Sequence, residues 1–118
     1  MRSVAVFHLK GGVGKTTTAV NLAALAAADG LPTLLWDLDP QGGASWALNC
    51  QAEKKQNKFW SGDIPLGEFI QPTRWRNLHL IAGDLSLRKF QETMADKPIT
   101  RQAMLQALSV LSERYTLV

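Results

Sequence analysis

The run Lys10-Gly11-Gly12-Val13-Gly14-Lys15-Thr16-Thr17 constrains this chain more than any other segment. Small residues let the backbone curl until successive N–H groups point into one concavity, and that nest favours an anion. In such a loop the lysine after the last glycine, Lys15, meets the β- and γ-phosphates of a nucleotide, and Thr16 offers its hydroxyl to Mg²⁺. The flanks supply the order this chemistry needs. Ser3-Val4-Ala5-Val6-Phe7-His8 is a short β-rich run and residues 16–29 read as a helix, so the loop joins a strand to a helix N-terminus whose dipole adds to the anion site.

Two other readings of the glycines compete. Gly12-Val13-Gly14, with Asp37 downstream, nearly spells the dinucleotide fingerprint G-x-G-x-x-G and its ribose-binding acid, but the third glycine is missing. The Lys15-Thr16 pair suits a triphosphate with magnesium and has no role in a nicotinamide site. A plain glycine turn accounts for neither residue. The loop is still a variant, because the pattern G-x-x-x-x-G-K-[ST] wants glycine where this chain has Leu9.

Further along, Thr33-Leu34-Leu35-Trp36 is an apolar strand ending at Asp37, and ligands of open α/β sheets sit at the carboxyl ends of strands. Asp37 and Asp39 are therefore both expected on the phosphate side. Alone, Asp37-Leu38-Asp39-Pro40 would read as a solvated turn; joined to the loop upstream it reads as a pair of working carboxylates. Phosphoryl transfer is catalysed mainly by positioning and by cancelling charge, so two lysines, a metal and one water-orienting carboxylate make a sufficient set.

Lys10 ahead of the variant loop, the continuation Thr16-Thr17-Thr18-Ala19-Val20-Asn21-Leu22-Ala23, and the segment Leu34-Leu35-Trp36-Asp37-Leu38-Asp39-Pro40-Gln41-Gly42 together resemble the deviant Walker A ATPases of the ParA/MinD type. The match is strong over about the first 48 residues. It is looser where Asn77-Leu78-His79-Leu80-Ile81-Ala82-Gly83-Asp84 looks like the strand and turn of partition ATPases. The resemblance implies an α/β P-loop NTPase fold, a mostly parallel sheet flanked by helices in a Rossmann-like three-layer arrangement. It implies ATP and Mg²⁺ as cofactors, bound through Lys10, Gly11, Gly12, Val13, Gly14, Lys15, Thr16 and Thr17, with Thr16 and Asp37 serving the metal and Lys10, Lys15 and Asp39 as the catalytic group. By that likeness Lys10 is the signature lysine that reaches across an ATP-bound dimer, Thr17 contacts the α-phosphate, Asp39 positions the attacking water, and Pro40 and Gln41 belong to the first switch.

Composition sets limits. A chain of 118 residues, 46% of them hydrophobic, can bury a core of its own and is one domain at most. No apolar run approaches the roughly 20 residues that span a bilayer, and the N-terminus leads directly into a strand rather than a signal peptide. A cytoplasmic protein is expected, and this segment indicates no membrane association. Cys50 stands alone, which excludes a disulfide framework within the chain, weakens a reading as a nitrogenase-type iron protein, and leaves an inert thiol as the expectation. A net charge of +3 and a pI near 9.3 suit attraction to nucleic acid, and the resemblance implies nonspecific DNA binding in the ATP state. No strong basic cluster appears, however. Lys54, Lys55 and Lys58 read as a solvated face, and Arg74-Trp75-Arg76 and Arg88-Lys89 as short pairs of ordinary surface.

The remainder organises simply. Asp29-Gly30-Leu31-Pro32 stops the first helix, residues 53–62 read as a polar surface loop or helix end, and residues 66–70 as a short amphipathic turn ended near Pro72. Residues 77–82 form a third strand, 85–94 a helix, and 99–111 another with Ala103, Leu105, Leu108 and Leu111 on its apolar side. Trp36 is expected in the core, whereas Trp46, Trp60 and Trp75 lie in loop-like stretches at the core or its rim; His8 and His79 read as structural. Tyr115-Thr116-Leu117-Val118 starts a further strand. In the family such a run leads to the Walker B acid and second switch, so residues 1–118 are expected to be the N-terminal part of a single P-loop ATPase domain whose C-terminal part is missing. The function implied is a slow ATPase that switches as an ATP-dependent homodimer, with nonspecific DNA and a partition-type protein as partners, distributing plasmid, chromosome or other cargo. A metabolic P-loop ligase or amidotransferase relative, or a positioning ATPase for a membrane or cellulose-export apparatus, are the alternatives.

Overall fold

Gly14 opens the first helix from φ 84°, a left-handed conformation open to glycine at no steric cost. The computed structural model describes residues 1–7, 14–93 and 96–118. From Gly14, α1 runs Lys15–Ala28, and a second left-handed glycine, Gly30, ends it. Leu31 N–H donates to Ala26 O (3.1 Å) and Gly30 N–H to Ala27 O (3.0 Å), the paired bonds of a Schellman motif. The chain continues through β1 (Thr33–Trp36), α2 (Gly43–Ala47), α3 (Asn57–Trp60), a 3₁₀ turn (Leu66–Phe69), β2 (Ile70–Pro72), β3 (Leu78–Ile81), α4 (Ser86–Thr93) and α5 (Pro98–Leu111).

The sheet order is β1-β3-β2. β1 and β3 are parallel, Thr33 opposite Leu78 and Trp36 opposite Ile81, so the two strands end together. β2 is antiparallel to β3 on the outer edge, and Pro72, which has no N–H to give a ladder, sits at its last position. Strand alternation divides the core into two layers. Leu78, Leu80 and Ala82 pack with Ala23, Ala27 and Leu48 beneath α1, while Leu34 and Ile81 pack with Phe69, Leu111 and Tyr115 on the side of α5. The result is the helix–sheet–helix layering of P-loop ATPases, and among the described residues no helix is long and apolar enough to cross a membrane.

Several elements differ from the sequence expectations. Residues 3–7 form no continuous ladder: Arg2 bridges Leu117 in parallel, Val118 N–H donates to Arg2 O (3.0 Å), and Val4 N–H donates to Val118 O (2.9 Å). Leu117 also bridges Thr33 in parallel. Residues 116–118 thus wedge between the N-terminal segment and β1, and beyond them a cleft of about 830 Å³ separates residues 3–7 from residues 33–39. The 53–62 stretch is no mere surface loop, because Gln56 is fully buried and Trp60 nearly so. Trp60 stacks on Trp36 and Phe90, whereas Trp46 and Trp75 are exposed. On α5 the buried face is Thr100, Ala107 and Leu111, and Leu105 points outward. Leu105 lies two positions from Ala107, about 200° around a helix of 3.6 residues per turn.

Candidate functional site

Two strand ends and one helix start converge. Lys10, Gly11, Gly12 and Val13 of the glycine loop lie outside the described residues; Gly14, Lys15, Thr16 and Thr17 follow as the first turn of α1. Among the described residues no side chain caps that turn, which leaves the first N–H groups of the helix without an intrahelical acceptor. Lys15 Nζ reaches Asp39 Oδ2 at 3.1 Å, joining the loop lysine to the acid beyond β1. Thr17 is exposed. Lys15, Thr16, Asp37 and Asp39 all line the cleft between residues 3–7 and β1.

The two acids are held differently. Asp39 Oδ1 accepts the Gln41 N–H at 2.9 Å while Asp39 O accepts that of Gly42, a tight turn that carries Pro40 across the site. The Gln41 N–H holds the Asp39 carboxyl below the ordinary carboxylate value of 3.8; partial burial works against it and the Lys15 ammonium assists. Asp39 is thereby kept ionised. Asp37 is buried. Its Oδ1 accepts the Asp39 N–H (3.0 Å), and its Oδ2 accepts both the Ser45 N–H (3.2 Å) and the Ser45 hydroxyl (2.9 Å).

Close backbone approach makes this possible. A Cβ on Gly83, just past β3, would lie 2.5 Å from Asp39 O and 2.9 Å from Asp37 Cγ, and one on Gly43 would lie 2.8 Å from Thr16 Oγ1. Any side chain at either position would push the acids or the threonine aside. Below them Gln56 Nε2 donates to both Asp37 O and Ala82 O (2.9 Å each), and its Oε1 accepts the Trp36 indole N–H (2.9 Å). This amide clamps the carboxyl ends of β1 and β3 together. Ser45, Gln56 and Gly83 were not singled out from the sequence, and the one signal for any of them is the small-residue run Gly42-Gly43-Ala44-Ser45 after the acids.

The oxygen set fits magnesium held with a nucleotide. Mg²⁺ favours hard oxygens, keeps several waters, and takes one or two protein ligands beside substrate phosphates. The Thr16 hydroxyl and the Asp37 carboxylate are of that type, and the described residues contain no group of three or more His, Cys, Asp and Glu that would make an all-protein metal cage. His79 and Cys50 stand apart. His79 Nδ1 lies 2.7 Å from the Tyr115 hydroxyl inside the fold, and burial raises the Cys50 thiol above its ordinary value, which keeps it protonated and unreactive. The lysines expected to be solvated are so, with long surface pairs Lys54–Glu68 (3.9 Å) and Lys58–Asp63 (3.8 Å).

The chain has relatives among known proteins. A family model described as an AAA domain matches residues 1–118. The chromosome partitioning protein ParA of Myxococcus xanthus is 32% identical over 117 residues, which is 97% of this chain and 41% of that protein. The chromosome-partitioning ATPase Soj of Thermus thermophilus is 47% identical over 72 residues, 61% of this chain and 28% of Soj. The chain therefore spans less than half the length of these relatives. Among solved structures, cobyrinic acid a,c-diamide synthase from Mycobacterium smegmatis, with bound ADP and magnesium, superposes with a TM-score of 0.89 at 27% identity, over 99% of this chain and 49% of that one.

Proposed function

This chain belongs to the AAA domain family and is of the ParA/Soj type, and from that premise we propose that it forms the Mg·ATP-binding part of a partitioning or positioning ATPase. The observation that carries the reading is the 3.1 Å contact of Lys15 Nζ with Asp39 Oδ2, which brings the loop lysine and the strand-end acid to one point. Bound magnesium would supply charge neutralisation at the β- and γ-phosphates. Everything else falls to side chains and backbone. The uncapped first turn of α1 donates N–H groups to phosphate oxygens, and Lys15 exchanges its carboxylate partner for them. Asp39, fixed by the Gln41 N–H at one oxygen, then has the other free to accept a proton of the attacking water. Lys10 reaches the nucleotide of a second copy, so that ATP drives dimerisation and the dimer engages nonspecific DNA and a partition-type protein. Slow hydrolysis then returns the monomer.

Lys15→Ala tests the nucleotide reading. Charge-assisted contacts to phosphate contribute about 1.5–3 kcal/mol each. Calorimetry should therefore show ATP affinity at least about tenfold weaker in the variant. Equal affinities would overturn the assignment.

A second reading rests on the likeness to the diamide synthase: a ligase that uses the same loop to activate a small carboxylate. Phosphate release stimulated by such a substrate favours it, and release stimulated by DNA and a protein partner favours the first.

A further inference from the structure

Asp37 is not simply an acid at a strand end; its carboxylate is aimed by one neighbour. Ser45 is buried, and both its N–H (3.2 Å) and its hydroxyl (2.9 Å) meet Asp37 Oδ2. The hydroxyl is not free to rotate. It accepts the Gly83 N–H at 3.0 Å, which occupies its lone-pair side and directs its proton to Asp37. One serine thus joins α2, the end of β1 and the end of β3.

The count of acceptor sites gives this consequence for metal binding. A carboxylate offers about four lone-pair directions. With Oδ1 accepting Asp39 N–H and Oδ2 accepting twice from Ser45, about one remains. Without the Ser45 hydroxyl the carboxylate would gain an acceptor direction and lose the shortest of its three hydrogen bonds, so its orientation would be held less firmly. Gln56 provides a contrast, since it binds the Asp37 backbone carbonyl and leaves the carboxylate untouched.

We propose that Ser45 is a positioning residue for magnesium, holding the Asp37 carboxylate so that its remaining acceptor direction meets the metal or a metal-bound water. The assignment rests on the Mg·ATP reading above. Outer-shell partners of this kind set metal affinity by about 10–100-fold.

The test measures ATP affinity of the full chain with magnesium and with a chelator, and takes the ratio. In Ser45→Ala the ratio should fall about tenfold or more while affinity in chelator stays unchanged. Ser45→Thr, which keeps the hydroxyl, should restore the ratio. Leu111→Ala, remote from the site, should lower the melting temperature and leave the ratio alone, which separates positioning from general destabilisation. If Ser45→Ala does not fold, Ser45→Cys supplies a thiol of similar size and weak donor strength, and the same fall is expected. A wild-type protein whose ATP affinity ignores magnesium would overturn the functional reading and this assignment with it. A wild-type protein that responds to magnesium, beside a Ser45 variant that responds equally, would overturn the role of Ser45 alone.

Discussion

The roles proposed for Asp39 and Lys10 differ, and single substitutions separate them. Asp39 is kept ionised by the Gln41 N–H and Lys15, so Asp39→Ala should leave ATP-dependent dimers intact while slowing hydrolysis, trapping the ATP state. Lys10→Ala should spare much of the monomer's ATP affinity and abolish dimerisation. Sedimentation of both variants with ATP checks the pair, and a Lys10 variant that dimerises normally would favour an ordinary phosphate-loop enzyme. His79 gives a pH dependence. Burial, with the charge of Arg114 added, holds it below its ordinary 6.5. As pH falls the unfolded chain takes up the proton first, so His79's contribution is complete above 6.5 and is lost as pH drops through the depressed folded value. Melting temperature should therefore fall as pH drops below the ordinary value of 6.5, and His79→Gln should flatten that slope; an unchanged slope would refute it. The acids and the loop lysine were legible because their residue types and spacing encode phosphate chemistry directly. Ser45 and Gln56 were not, because their significance arises where two strand ends meet, and no local pattern records a partner 28 or 38 positions away, as Asp84 is to Gln56 and Gly83 to Ser45.

Periodicity revealed most elements and misplaced some of their faces. Strand β1 and helices α1, α4 and α5 lie where alternation and helical spacing put them, with ends shifted by a residue or so. β2 escaped notice because three residues ending in proline carry too little pattern to read, and its strand character comes from pairing with β3. The 53–62 stretch looked solvated because its lysines dominate the composition, yet Gln56 and Trp60 turn inward between them. Leu105 shows the limit most plainly. It is apolar but lies on the outer face of α5, so Leu105→Ala should change stability by about 0.5 kcal/mol or less. Leu111→Ala, which empties space between Leu34, Ile81 and Tyr115, should cost about 2–5 kcal/mol. Denaturant unfolding of the two variants distinguishes them, and similar losses would mean that the helix is rotated from the orientation described.

Among the described residues, the cleft between residues 3–7 and β1 leaves apolar surface uncovered. Residues 116–118 pair on both sides as a parallel strand begins to, and past them apolar side chains such as Val4, Val6 and Leu35 line open space. Such an edge is normally relieved by further strand pairing, self-association or aggregation. Residues 1–118 should therefore self-associate independently of ATP. Light scattering with and without ATP checks this, and a monodisperse monomer in both conditions would refute the expectation. The pairing of Arg2 with Leu117 also orders events in time. Synthesis at about 5–20 residues per second separates the two by on the order of ten seconds. Closing so long a loop waits on everything between. The stretch that leads into the phosphate loop is thus anchored only after residues 116–118 have been made, so a firm grip on nucleotide follows the synthesis of the strand that seats it.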